Sequence, residues 1–301
     1  MYNISREDIE FNIEEGSPKK IFFQSPYASG NQIIDQAKAL QYGENGRNKA
    51  LIFIHGFGEM KIFELLKYYP KYFAENDYTV LMPVLPFLME RKPEKYREKD
   101  LFLSGFAEDI EKRFYQSVND ILTCVDYLES EGYKEVNIMG YSFGGLIATI
   151  AMALEQRIAK AVLVVTGGNM EYITWESLAT KELRERYKKE DFCNLEKCHQ
   201  LHQNFGQAAA EFKKVEDLKE FPACFRYDPS FFAHKINKEK VLMFNALFDN
   251  LIPRESADDL WQRLGEPKRY NLIAGHYTTH LLYKNFICKR SDKFFNNLYL
   301  T

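Results

Sequence analysis

The 301-residue sequence contains no run of 18 or more consecutive apolar residues, so it offers no candidate for a membrane-spanning helix. It also lacks a linker rich in proline, glycine and serine, which favours one domain over two. Its five cysteines are odd in number and widely spaced, which indicates reduced thiols rather than a disulfide framework. The first residues lack the basic and then apolar order of a signal peptide, and we therefore expect a cytoplasmic protein.

Neither sign of charge dominates, since 40 basic and 43 acidic residues give a net charge of −3. No block of like charge is longer than a pair such as Arg91-Lys92. This balance argues against nucleic acid as a partner, because phosphate backbones are bound by clustered lysines and arginines. Apolar residues make up 46% of the chain and charged residues 28%, which predicts a globular domain with a large core.

From about residue 49 the sequence alternates apolar runs with amphipathic stretches, which predicts a mainly parallel sheet with helices on both faces. Strands are predicted at residues 50–54, 78–84, 136–139, 161–165, 240–248 and 270–273, and helices at 60–75, 110–128, 146–154, 253–264 and the C-terminus. Residues 21–23 are expected in an early edge strand, and residues 85–105 in an irregular excursion. Residues 170–235 break the rhythm, and we expect a helical cap over the sheet edge that holds the site.

A serine stands between two glycines in residues 140–144 (Gly-Tyr-Ser-Phe-Gly), directly after an apolar run and before a helix-like stretch. A serine hydroxyl attacks a carbonyl only if it projects into an open site, which a tight strand-to-helix turn achieves. A side chain at either flanking glycine would collide with the neighbouring strand or helix. The pattern predicts a nucleophile elbow with Ser142 as the nucleophile. The competing interpretation, a turn serine in a nucleotide-binding loop, requires a different glycine register.

A serine nucleophile needs a base, and the base needs a third group that fixes its tautomer. His276 follows the last predicted strand in a glycine-preceded loop and is the predicted base. Asp249 follows the strand before it and is the predicted orienting acid, a role compatible with capping the next helix. His280 competes as the base but is expected inside the last helix, and Glu171 competes as the acid from an earlier strand end.

The run His55-Gly56-Phe57-Gly58 follows the first strong strand, where this architecture builds half of an oxyanion hole. Two backbone N–H groups must point at the developing negative charge, and we predict those of Phe57 and Phe143. His55 is interpreted as a structural hydrogen-bonding residue. The alternative is an ordinary strand-to-loop turn with a buried histidine.

Three further residues are candidates for substrate contact. Arg91, with Arg97 nearby, lies in the excursion after a strand and could bind an anionic substrate group, although an exposed loop arginine is the commoner outcome. Tyr141 adjoins the predicted nucleophile. Trp175, with Tyr172, could form the wall of an acyl pocket or equally pack the cap onto the body.

One cluster has the ligand types of a zinc site, namely Cys193, Cys198, His199 and His202. The spacing is unfavourable, because Cys198 and His199 are adjacent and point in different directions on a helix. We therefore prefer a cap helix surface to a metal site, and we expect no metal and no cofactor.

Together these residues resemble the α/β-hydrolase superfamily of serine esterases and lipases, from about residue 49 to the C-terminus. The resemblance rests on His55-Gly56-Phe57-Gly58, Gly140-Tyr141-Ser142-Phe143-Gly144-Gly145, Asp249 with Ile252-Pro253, and Gly275-His276. It implies a mostly parallel eight-stranded sheet and hydrolysis of esters, thioesters or amides without a cofactor. Arg91-Lys92-Pro93, Ser104-Gly105 and Thr166-Gly167-Gly168-Asn169 resemble more loosely an abhydrolase-domain branch near the dienelactone-hydrolase-like esterases. Dienelactone hydrolases proper use cysteine as the nucleophile, so Ser142 departs from them and argues against their particular substrate.

The predicted function is a serine hydrolase that cleaves a small-molecule carboxylic ester through an acyl-enzyme. Two alternatives stay open. The same fold also serves acyltransferases, thioesterases and peptidases, and a hydrolase scaffold can act only in binding.

Overall fold

The computed structural model describes residues 2, 5, 6, 8–44, 49–57, 60–94, 107–189 and 193–297. The strands of this part of the chain are β1 (Asn12–Glu14), β2 (Lys19–Gln24), β3 (Gln36–Tyr42), β4 (Lys49–Ile54), β5 (Tyr78–Val84), β6 (Val136–Tyr141), β7 (Ile158–Val164), β8 (Val241–Ala246) and β9 (Lys268–Leu272). They form one sheet in the order β1-β2-β3-β5-β4-β6-β7-β8-β9.

The sheet is parallel from β5 through β4, β6, β7 and β8 to β9, whereas β1, β2 and β3 pair antiparallel at one edge. The mainly parallel sheet predicted from the apolar runs is therefore confirmed, and residues 21–23 lie in β2 as expected. The nine described strands exceed the eight implied by the resemblance. The outermost, β1, has three residues, all exposed, and pairs only along β2 from Asn12 opposite Phe22.

The described helices are α1 (Gln32–Asp35), α2 (Met60–Leu66), α3 (Tyr68–Glu75), α4 (Ala107–Ser130), α5 (Phe143–Leu154), α6 (Met170–Glu176), α7 (Lys181–Lys189), α8 (Leu195–His202), α9 (Phe205–Glu211), α10 (Ala223–Arg226), α11 (Pro229–Phe232), α12 (Arg254–Arg263) and α13 (His276–Phe295). The predictions of α4, α5, α12 and the C-terminal helix are confirmed. The single helix predicted over residues 60–75 was wrong, because two helices meet at Lys67. Pro70 lacks the N–H that a continuous helix would need there, but it is tolerated in the first turn of α3.

Helices cover both faces of the sheet, as the alternation of side chains on β6 shows. A Cβ atom at Gly140 would lie 2.4 Å from the carbonyl oxygen of Gly144 in α5. The next side chain, Tyr141, points the other way, and its ring lies 5.8 Å from that of Tyr69 in α3. Helix α5 packs with α4 on the first face, and α3 packs with α13 on the second.

Short helices occupy the segment between β7 and β8, where the sequence pattern is interrupted. They share a buried aromatic cluster of Phe205, Phe212, Phe225, Phe231 and Phe232. The segment contacts the body through α10 on α4 and through α11 on α5. None of the described helices is both long and apolar enough to cross a membrane.

Candidate active site

Ser142 forms the sharp connection between β6 and α5, with φ 54° and ψ −120°. This is a strained conformation for a residue with a side chain, and a surrounding structure must hold it in place. The backbone N–H of Ser142 donates to the carbonyl oxygen of Val164 in β7, 2.7 Å away. The half-buried hydroxyl group is thereby fixed at the carboxyl end of the central strand.

The flanking glycines are required by close backbone approach. A Cβ atom at Gly144 would lie 2.2 Å from the carbonyl oxygen of Ile54 in β4, and one at Gly140 would overlap α5. Neither glycine has a positive φ. The predicted collisions with the neighbouring strand and helix are therefore confirmed, and they alone explain these two glycines.

Two hydrogen bonds join the three residues that the sequence selected. The Oγ of Ser142 lies 2.7 Å from Nε2 of His276, and Nδ1 of the same ring lies 2.7 Å from Oδ2 of Asp249. Asp249 follows β8, and His276 opens α13 just after β9. Parallel strands thus bring together side chains that are up to 134 residues apart.

The contacts of Asp249 fix the tautomer of the imidazole. Its Oδ1 accepts the N–H groups of Leu251 and Ile252, both at 2.9 Å, which leaves Oδ2 for the histidine. Because a carboxylate only accepts, Nδ1 of His276 carries the proton and Nε2 accepts from the Ser142 hydroxyl. The side chains of the histidine and the aspartate are 6% and 5% exposed, so little water competes for these bonds.

The competing residues lie elsewhere. His280 is inside α13, where its ring contacts the rings of Tyr68 and Tyr69. Glu171, in α6, accepts a hydrogen bond from Nδ1 of His199 at 2.9 Å. The imidazole in contact with Ser142 is therefore that of His276, and its carboxylate partner is Asp249.

The turn after β4 passes directly beside the nucleophile. A Cβ atom at Gly56 would lie 3.1 Å from the Cβ and 3.7 Å from the Oγ of Ser142. Phe57 follows in this turn, and Phe143 is the first residue of α5. Phe143 is thus the chain neighbour of Ser142, and Phe57 is the chain neighbour of Gly56, which lies beside the nucleophile. Gly58 lies outside the described residues.

Comparison with known proteins identifies the family of this chain. A family model described as alpha/beta hydrolase fold matches residues 49–190. The uncharacterized protein YdjC of Bacillus subtilis (strain 168) is 30% identical over 115 residues, which are 38% of this chain and 79% of that protein. This chain belongs to the α/β-hydrolase superfamily.

Two solved structures extend the likeness of this α/β hydrolase to nearly the whole chain. The Pyrococcus furiosus esterase Pf2001 superposes with a TM-score of 0.55 at 13% identity, covering 98% of this chain and 96% of that one. An acetyl xylan esterase from Paenibacillus sp. R4 gives a TM-score of 0.60 at 15% identity, with 93% and 88% covered. At such low identities the likeness concerns the fold, and the α/β-hydrolase fold predicted from the motifs is confirmed.

In this α/β hydrolase His55 is a structural residue, as predicted. Its ring is fully buried, its Nδ1–H donates to the carbonyl oxygen of Gly56 at 2.8 Å, and its Nε2 accepts the N–H of Leu85 at 3.3 Å. Burial disfavours the imidazolium and lowers the pKa of His55 to about 4. The ring thus ties the turn beside the nucleophile to the end of β5.

The buried ring makes stability depend on pH. Between pH 6.5 and about 4 the unfolded chain binds a proton at His55 while the folded protein does not, so the free energy of unfolding decreases as the pH is lowered. Over this whole pH interval the decrease due to His55 should be about 3 kcal/mol. We expect urea denaturation at pH 7, 6, 5 and 4 to show a shallower decline for His55→Gln than for the wild type. Parallel declines would contradict this assignment.

Arg91 is a structural residue of the hydrolase body, which corrects the prediction of an anion-binding loop arginine. Its side chain is 2% exposed, and its Nη1 donates to Asp120 of α4 and to the carbonyl oxygen of Val84, both at 2.8 Å. Its Nε donates to the carbonyl oxygen of Ile34 at 2.9 Å. The guanidinium is thus engaged inside the protein and is not available to a substrate. Arg97 and Ser104-Gly105 lie outside the described residues.

The two aromatic candidates differ in position. Tyr141 is buried, and its hydroxyl donates to the backbone carbonyl oxygen of His276 at 3.2 Å. In this geometry Tyr141 holds the backbone of the histidine that contacts Ser142. The sequence analysis had named it as a candidate for substrate contact. Trp175 lines a cavity of about 230 Å³ between the start of α4 and the helices after β7. Ser142 and His276 are not among the described residues that line this cavity.

The two histidines considered as zinc ligands make hydrogen bonds to other groups of the protein. Nδ1 of His199 bonds to Glu171, and Nδ1 of His202 donates to the carbonyl oxygen of Cys198 at 2.9 Å. The described part of the chain contains no group of three or more side chains arranged to hold a metal ion.

One buried carboxylate that joins two segments of the backbone was not identified from the sequence. The buried carboxylate of Asp228 accepts the N–H groups of Asn169 at 2.8 Å, Met170 at 2.6 Å and Ser230 at 2.9 Å. It therefore ties the start of α11 to the loop after β7. The pair Asp228-Pro229 signals a helix start, but a local signal does not reveal a partner about 60 residues away.

Proposed function

We propose that this α/β hydrolase is a serine hydrolase that cleaves a carboxylic ester through an acyl-enzyme. The observation that carries the proposal is the continuous relay from Asp249 through His276 to Ser142, with both hydrogen bonds at 2.7 Å. A nucleophile, a base in the required tautomer and a carboxylate that orients the base are what acyl transfer needs.

In the proposed first step, Nε2 of His276 takes the proton of Ser142 while Oγ bonds to the ester carbonyl carbon. The negative charge moves to the carbonyl oxygen, where the backbone N–H groups of Phe57 and Phe143 stabilise it. His276 then gives its proton to the departing alcohol oxygen as the bond between carbon and oxygen breaks. A water molecule repeats the sequence on the acyl-enzyme and releases the acid.

The choice of an ester over other acyl compounds rests on the relatives of the fold. Both solved structures compared above are esterases by name. We further propose that the helical segment at residues 170–235 acts as a cap that shapes the substrate site, since α11 packs on α5, the helix that starts at the nucleophile.

A fluorophosphonate probe tests the nucleophile. Such probes mimic the tetrahedral state and are attacked by an activated serine, so we expect one covalent adduct per chain, on Ser142, together with hydrolysis of p-nitrophenyl butyrate. The measurements are intact mass, peptide mapping and release of p-nitrophenol. Ser142→Ala should lose both signals, and Ser29→Ala, at an exposed loop serine, should keep both.

Two outcomes would count against the proposal. Labelling that persists in Ser142→Ala would assign the reactivity to another residue. Thioester or peptide turnover far above ester turnover in the same protein would retain the nucleophile and reject the ester.

A further inference from the structure

Three of the five cysteines line one cavity, apart from the residues of the proposed reaction. The cavity measures about 230 Å³ and lies between the first turn of α4 and helices α6, α7, α8 and α10. Its wall includes Cys193, Cys198 and Cys224, together with Trp175 and His202. All five cysteines of the chain are free thiols.

The three thiols differ in access and in contacts. Cys193, just before α8, is half-buried and is more exposed to solvent than Cys198. Cys198 is 8% exposed, and its Sγ lies 3.6 Å from Nδ1 of His202. Because that Nδ1–H also donates to the carbonyl oxygen of Cys198, the histidine holds this turn of α8 and presents its proton to the sulfur.

The protonation of the pair is set by their mutual hydrogen bond. The Cys198 thiol donates to the sulfur of Cys193, and this bond, with help from the backbone at Asn194 and the nearby Lys197 ammonium, lowers the pKa of Cys193 to about 7. The same bond, together with burial, raises the pKa of Cys198. The contact between the two sulfurs therefore favours the thiolate at Cys193 and the protonated thiol at Cys198.

The remaining cysteines lack this combination. Burial raises the pKa of Cys224 to about 12, and it also raises the pKa values of Cys124 and Cys288, which lie in the core. A thiol that stays protonated is a poor nucleophile, and a buried one is also inaccessible. Cys193 alone among the five combines access with a neighbouring thiol that donates to it.

We infer that Cys193 is a modification site for hydroperoxides and that Cys198 is its resolving thiol. The Cys193 thiolate attacks one oxygen of hydrogen peroxide, the O–O bond breaks, and Cys193 sulfenic acid and hydroxide form. The Cys198 thiol then displaces the sulfenic hydroxyl group as water, which leaves a disulfide between Cys193 and Cys198. The two sulfurs together lose two electrons, which reduce the peroxide. This inference is independent of the proposed ester hydrolysis.

The sequence allows a direct assignment of the bond, because trypsin separates the three thiols. Cleavage after Lys189, Lys197, Lys213, Lys219 and Arg226 places Cys193 in peptide 190–197, Cys198 in peptide 198–213 and Cys224 in peptide 220–226. The full-length protein is reduced, desalted, treated with stoichiometric hydrogen peroxide at pH 7 and alkylated. We expect the intact mass, measured before alkylation, to fall by two hydrogens, peptides 190–197 and 198–213 to be linked, and dithiothreitol to reverse both changes.

Single variants then separate the roles. Cys193→Ser and Cys198→Ser should each abolish the disulfide, and Cys198→Ser should accumulate Cys193 sulfenic acid that dimedone traps. Cys224→Ser is the matched control in the same cavity and should still form the disulfide. Iodoacetamide should alkylate Cys193 at least about tenfold faster than Cys124 at pH 7.

Two results would overturn the inference. Both would be obtained with the wild-type protein, so they do not depend on whether the variants fold. One is a disulfide that includes peptide 220–226 in place of either partner. The other is peroxide treatment that leaves peptides 190–197 and 198–213 unlinked.

Discussion

His276→Ala is expected to lower kcat for p-nitrophenyl butyrate by roughly 10⁴- to 10⁶-fold, as for the base of other triads, with KM nearly unchanged. The reason is that Nε2 of His276, 2.7 Å from the Ser142 Oγ, is the group placed to take the hydroxyl proton and return it to the leaving alcohol. Initial rates of p-nitrophenol release over a range of ester concentrations separate kcat from KM.

The double variant makes this test specific to a cooperating unit. A serine without its base contributes almost nothing to kcat. The double variant Ser142→Ala/His276→Ala should therefore have about the same kcat as either single variant. Asp249→Asn should lower kcat by about 10⁴-fold, because an amide can donate to Nδ1 and so stabilise the wrong tautomer. His199→Ala serves as the control, because it removes an exposed histidine that contacts Glu171 and not Ser142. Multiplicative losses in the double variant, or a His276→Ala rate within tenfold of the wild type, would contradict the relay.

The positions of the relay residues were accessible from the sequence because each depends on a local feature. Ser142, Asp249 and His276 each follow an apolar run that forms a strand, and the carboxyl ends of parallel strands share one edge. The elbow adds two glycines that the neighbouring strand and helix make necessary. Chain order then selects between competing residues, such as His276 and His280, by their distance from the strand end.

The residues that the sequence placed wrongly or missed depend on partners far along the chain. Arg91 precedes Lys92 and Pro93, which is typical of an exposed loop, yet its carboxylate partner is Asp120, on α4. Tyr141 adjoins the nucleophile, but its hydroxyl bonds to the backbone of His276, 135 residues away. Hydrophobic periodicity indicates which face of an element is buried, and it does not specify which polar group meets which inside the protein.

Arg91→Met is expected to lower the free energy of unfolding by about 3–5 kcal/mol, because it leaves a buried carboxylate without its counter-charge. Asp120 is 3% exposed in its side chain, and burial already raises its pKa against the opposing effects of Arg91 and the Ser25 hydroxyl. The carbonyl oxygens of Ile34 and Val84 lose the hydrogen bonds from Arg91 in the same variant. Urea denaturation at pH 7 measures the change.

A pair of controls distinguishes an unpaired buried charge from general sensitivity to loss of an arginine. Arg254→Met removes a 78% exposed guanidinium 3.5 Å from Asp258 and should cost less than about 1 kcal/mol. Arg91→Met/Asp120→Leu removes both charges and should recover part of the stability lost in Arg91→Met, since the desolvation cost of the carboxylate disappears with it. If Arg91→Met were no more destabilising than Arg254→Met, Arg91 would not anchor α4 to β5, and the hypothesis that it binds substrate would regain support.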